Sequence, residues 1–230
     1  MADPAAPPEP PVNPTTVLLV RHAVTQQTGK VLYGRAPGID LSETGRAQAD
    51  ALATRLAGLP IAAIYASPIE RAQQTAQPLS VALGMIVRTH EGLVEVDTGE
   101  FTGKTFEELG ALDDWKRIVR QSSRAQLPGG ESLAQMQVRA VDAVEQIVRL
   151  HLGETVVAVS HRDPILAVIA HYSGAHLDHY ERIAAAPASV SVLQFGPHGA
   201  LVLKCNDTGS LADLVPEPPE QSHESEASNG

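Results

Sequence analysis

Val17-Leu18-Leu19-Val20-Arg21-His22 sets a short, wholly aliphatic run directly before an arginine and a histidine. The run is too short for a helix and suits a strand buried on both faces. Similar runs recur outward from it, at Ile61 to Tyr65, near Ile86-Val87 and from Thr155 to Ser160. Helical patterns lie between them. Ser42 can cap a helix whose apolar face is Ala49, Leu52, Ala53 and Leu56, stopped by Gly58 and Pro60. Pro68 suits the first turn of a helix running to about Gly84.

Between Ser132 and Leu152, Leu133, Met136, Ala140, Val144, Ile147 and Val148 recur at spacings of three and four, predicting one helix face that Gly153 ends. Asp163 reads as an N-cap with Pro164 at the first helical position, and that helix ends near Gly174. Val190 to Phe195 and Leu201 to Cys205 flank Gly196-Pro197-His198-Gly199 as an antiparallel hairpin. The alternation predicts an α/β three-layer sandwich: a mostly parallel sheet, helices on both faces and an antiparallel hairpin at its edge.

The length of 230 residues suits one sizeable core. Residues 1–14 are proline-rich and 211–230 acidic without Lys or Arg, so the expected division is a disordered tail, one domain over 15–210 and a second disordered tail. Of the net charge of −10, Asp3 and Glu9 carry two and the C-terminal stretch five, leaving the domain near neutral. That balance argues against a nucleic-acid or acidic-membrane partner. Cys205 is the only cysteine, so neither an intramolecular disulfide nor a cysteine-rich metal site is expected. With no signal-peptide pattern and no run of about eighteen apolar residues, a soluble cytoplasmic protein is expected.

Polar residues at the carboxyl ends of strands in open α/β sheets carry functional weight, because ligands bind there. Arg21-His22 follows the first strand, Arg71 lies in the helix after the second, Glu95 in the loop after the third, and His161 directly after the fourth. Each alone reads as surface polarity or a satisfied side chain. Together, two imidazoles, two guanidiniums and a carboxylate fit phosphoryl transfer, which needs fixed positive donors, an in-line nucleophile and an acid for the leaving oxygen. His171, His176 and His179 lack a matching carboxylate cluster and sit at a helix end, so no metal and no cofactor is expected. The segment from Lys104 to Gln126, with Trp115 as packing, reads as a helical cover closed by Pro128-Gly129-Gly130, with Glu131 starting the long helix.

In order along the chain, VLLVRHAVT, LSETGRAQADALATRL, YASPIERAQQTA, LVEVDTGEFTG, PGGES and VVAVSHRDPI resemble segments of the histidine phosphatase (phosphoglycerate mutase-like) superfamily, over about residues 16–205. The resemblance implies that His22 is the phosphorylated nucleophile, that Arg21, Arg71 and His161 bind the transferring phosphoryl group, and that Glu95 is the general acid and base. It further implies that Thr25 and Thr28 line the phosphate pocket and that Arg35 belongs to a substrate-contacting loop.

Three departures stand out. Ala23 replaces the family's usual glycine, which a negative φ would permit. Thr28 stands where many members have Asn, and Arg162-Asp163 follows the second histidine where small residues are usual. Asp163 is expected to cap its helix, while Arg162 is a candidate contact for an anionic substrate beside a helix start. Members with mutase activity carry Arg-His-Tyr after the general acid, where this chain has Val96, Asp97 and Thr98. The resemblance therefore implies a phosphatase of the phosphatase branch acting on a small phosphorylated metabolite, with a phosphoglycerate mutase-type phosphotransferase as the alternative. A non-catalytic phospho-ligand-binding module would not need every catalytic position filled, and a plain α/β binding domain is the bland remainder.

Overall fold

The computed structural model describes residues 13–209. Apart from Asn13 and Pro14, the two expected tails lie outside the described residues. Among the described residues six strands form one sheet: β1 (Thr15–Arg21), β2 (Ile61–Ala66), β3 (Val87–Thr89), β4 (Thr155–Ser160), β5 (Val190–Gly196) and β6 (Gly199–Asp207), in the order β3-β2-β4-β1-β5-β6. The pairs β1–β4, β2–β4 and β2–β3 are parallel, whereas β5 runs antiparallel to β1 and β6 to β5.

Alternate strand residues face opposite ways, and each face has its own helices. Leu18, Val20, Ile64, Val157 and Val159 pack on α1 (Glu43–Leu56) and α2 (Glu70–Leu83). Val17, Leu19, Ala63, Val156 and Ala158 pack on α5 (Leu133–Leu150) and α6 (Arg162–Tyr172). Two short helices, α3 (Phe106–Ala111) and α4 (Asp113–Arg120), form the cover read from residues 104–126, and Trp115 packs edge-on against Phe101 at 5.9 Å. The fold is the expected sandwich with its antiparallel edge pair.

Several helix starts differ from the sequence reading. Pro68 lies ahead of α2, whose N-cap is Ile69. Glu131 does not start α5; Ser132 caps it and forms a reciprocal capping box with Gln135, which satisfies two backbone donors at once. Nor does Asp163 cap α6. The chain leaves β4 extended through His161, which is the N-cap, so Asp163 falls inside the first turn. Pro164 is tolerated there because the first helical N–H groups have no intrahelical partner. Strand β3 begins at Val87, leaving Ile86 exposed, and α5 stops at Leu150 because His151 departs from helical geometry. Among the described residues no helix is long and apolar enough to cross a membrane.

Candidate active site

From β1 the chain passes to α1 on one face, and from β4 to α6 on the other. A crevice therefore opens at the carboxyl ends of these adjacent strands, as open α/β sheets dictate where the winding reverses. The register pairs Arg21 with Ser160, which sets the next residues, His22 and His161, side by side with ring centroids 5.2 Å apart. Both are buried, as is Arg71 at the start of α2. The backbone between β1 and α1 is pinned tightly: a Cβ on Gly45 would sit 1.9 Å from the carbonyl oxygen of Val24. Ala23 has no left-handed φ and lies buried against Leu41 and Ala49, with its N–H donating to Thr75 Oγ1 at 3.0 Å. The methyl group in place of the family's glycine is thus accommodated.

The donors around His22 define a cradle. Nδ1 of His22 meets the carbonyl oxygen of Ala23 at 2.8 Å; a carbonyl can only accept, so Nδ1 carries the proton and Nε2 keeps its lone pair. Burial, then the Arg71 and Arg21 charges, lower the imidazole pKa to about 3, which keeps the ring neutral near pH 7. Arg21 donates through Nη1 to the carbonyl of Ala185 at 2.7 Å, and Arg71 through Nη2 to that of Gly34 at 2.7 Å while stacking over Tyr33 at 4.6 Å. Arg21 Nε, Arg71 Nε and Nη1, and His161 Nδ1 are buried without a hydrogen-bond partner. The three guanidinium nitrogens are donors, and buried donors left unpaired cost free energy, so their concentration beside the His22 Nε2 matches an anion with several acceptor oxygens. Nε2 of His161 lies 2.7 Å from Ser67 Oγ, at the end of β2.

Glu95 faces the same crevice. Burial, and after it the Asp163 charge, push its pKa up to about 7, against the opposing effects of the Val96 N–H and both arginines. Its loop is held by residues that sequence reading missed. Arg139, on α5, donates to the carbonyls of Gly92 (3.1 Å), Val94 (2.6 Å) and Glu95 (2.9 Å), and pairs with Glu131 at 2.6 Å. Glu131 also accepts from the Asp97 N–H at 3.0 Å. An arginine inside a helical pattern gives no signal of this in one dimension, and the glutamate of PGGES, next to a helix start, has the same appearance as a residue that opens the helix.

Other expected site residues scatter. Thr28 lines the crevice, whereas Thr25 stands behind it, its hydroxyl 2.9 Å from that of Thr28. Arg35 does not reach the crevice: its Nε donates to the Glu95 carbonyl at 2.7 Å and its Nη2 to Glu131 at 2.7 Å, so it braces the loop. Arg162 does line the crevice, but is held by Glu181 at 2.5 Å and Asp163 at 2.9 Å. Above the cradle the crevice widens to a cavity of about 520 Å³ roofed by Trp115, Ile118 and Val119 of α4. Among the described residues no three His, Cys, Asp or Glu are grouped to hold a metal ion; His171 meets the Tyr172 ring edge-on at 4.9 Å.

Comparison with known proteins places the chain among phosphatases of similar fold. Phosphoserine phosphatase 1 of Hydrogenobacter thermophilus is 31% identical over 203 residues, covering 87% of this chain and 96% of that protein. Among solved structures, Bacillus stearothermophilus YhfR (29% identity, TM-score 0.79) covers 85% of this chain and 98% of its own. The phosphoserine phosphatase of Entamoeba histolytica, solved with 3-phosphoglyceric acid, is similar too (26% identity, TM-score 0.75, covering 84% and 98%). These relatives support phosphatase activity. The model of the histidine phosphatase superfamily (branch 1) matches residues 17–208, and the chain belongs to that superfamily.

Proposed function

We propose that this protein is a phosphatase that hydrolyses small phosphate monoesters through a phosphohistidine on His22. The observation that carries the reading is the neutral His22 ring, its Nδ1 spent on Ala23 and its Nε2 free, among three buried and unpartnered guanidinium nitrogens of Arg21 and Arg71, with the unpartnered Nδ1 of His161 beside them. Those donors bind the phosphoryl oxygens and favour the charge that develops on them. Nε2 attacks phosphorus; the N–P bond forms as the P–O bond to the alcohol breaks, and protonated Glu95 gives its proton to the departing oxygen. The Glu95 carboxylate then takes a proton from water, whose oxygen attacks phosphorus and breaks the N–P bond. Inorganic phosphate leaves, and Glu95 is again protonated.

No step needs a metal, since the arginines already supply positive charge at the phosphoryl group. The composition favours a cytoplasmic setting without nucleic-acid or membrane partners. Mutase chemistry requires donors that retain a second anionic group during reorientation, and Val96, Asp97 and Thr98 after Glu95 offer no cation. The test is phosphate release from an alkyl phosphate. Wild type should turn over and His22→Ala should not; equal rates would overturn the reading.

A further inference from the structure

The charges and surfaces of the cavity bear on which phosphate monoester it takes, an assignment that rests on the phosphatase reading. Beyond the cradle, the walls are mostly apolar, with Leu32 on one side, Trp115, Ile118 and Val119 from α4, Leu127 ahead of α5 and Leu133 at its start, and with the uncharged hydroxyls of Thr28, Thr98, Ser122 and Tyr180 between them. Among the described residues, the cations that line the cavity are Arg21 and Arg162. Arg21 belongs to the phosphate cradle. Arg162 is engaged on both terminal nitrogens by Glu181, at 3.2 and 2.5 Å, and takes Asp163 at 2.9 Å. Its charge is therefore more than offset, and a carboxylate or second phosphate entering there would meet two acids around one cation. Such a group would lose its hydration beside a guanidinium whose charge is already matched by two carboxylates, which is costly.

We propose that the substrate's leaving group is uncharged and predominantly apolar, an arylalkyl or medium-length alkyl alcohol, and that Glu181 enforces this by occupying Arg162. Glu181 is here a positioning residue: it acts on selectivity through the guanidinium it holds. An apolar body on the α4 side gains from burial without a charged partner.

The experiment compares kcat/KM for benzyl phosphate and hexyl phosphate with that for 3-phosphoglycerate and O-phosphoserine. All four leave as primary alkoxides, so the chemical step is matched and the ratio reports the cavity. Wild type should favour the apolar pair by about tenfold or more, within the range that pocket contacts supply. Glu181→Gln, which releases one carboxylate from Arg162, should reduce that preference several-fold. A residue that only supported the fold would lower all four rates together and leave the ratio unmoved. Preference for 3-phosphoglycerate or phosphoserine by wild type, or an unmoved ratio in Glu181→Gln, overturns the assignment while leaving the phosphatase reading intact. Failure of wild type to hydrolyse any of the four overturns both.

Discussion

Glu95 and His22 are two titratable groups whose surroundings drive their pKa values apart in the useful directions, toward an acid that stays protonated and a base that stays neutral. With His22 lowered to about 3 and Glu95 raised to about 7, kcat/KM should hold between those values and fall above pH 7 as the acid is lost. A phosphate monoester itself titrates near about pH 6, so the informative quantity is the ratio of wild type to Glu95→Gln. That ratio should fall above pH 7, and a flat ratio would deny Glu95 the acid role. Single-turnover phosphorylation by an alkyl phosphate should slow by about 10² in Glu95→Gln, and by much less with p-nitrophenyl phosphate, whose leaving group needs no proton. Stability should respond as well. Because the folded pKa of Glu95 lies above its unfolded value, the unfolded chain releases this proton first, and stability attributable to the residue is lost as pH rises through about 7. Glu95→Gln should therefore stabilise the protein more at pH 8 than at pH 4, measured by thermal unfolding.

At the scale of elements, the loop that carries Glu95 depends on a helix distant in sequence. Arg139 and Glu131 are both largely buried, at 22% and 15% side-chain exposure, and their pair ties the carbonyls of residues 92–95 to α5. Arg139→Met should cost about 1–3 kcal/mol, since it takes the side-chain donor from the carbonyls of Gly92 and Val94 and leaves Glu131 with Arg35 and the Asp97 N–H alone, and should lower kcat beyond what the lost stability explains. Urea unfolding and kinetics of the same preparation would check both. The α2 helix continues through Pro78, an interior position where proline costs up to about 3 kcal/mol relative to alanine; Pro78→Ala should raise the unfolding midpoint. These features also mark where sequence reading stopped. Strand β4 and the apolar faces of α1 and α5 were legible because periodicity records burial directly. The starts of α2, α5 and α6 were not, since Pro68, Glu131 and Asp163 all resemble helix-start residues and only three-dimensional bonding decides among them.

For the molecule as a whole, the placement of Arg21, His22, Arg71, Glu95 and His161 at or beyond successive strand ends was legible, whereas the strand order that brings them together was not, because strand pairing is set by contacts distant in sequence. The roles of Arg35 and Arg162 were not, because their partners Glu131 and Glu181 lie 96 and 19 residues away and set whether a guanidinium is free for substrate. Activity should persist in EDTA, given the arginine-rich cradle; loss on chelation with recovery on adding a divalent ion would contradict a metal-independent mechanism. The most direct measurement is to mix enzyme with substrate, quench within one turnover and locate the phosphate. The expected result is base-stable, acid-labile phosphate on the peptide containing His22, with none trapped in His22→Ala. Phosphate on another residue, or turnover with no covalent intermediate at any quench time, would contradict nucleophilic catalysis by His22.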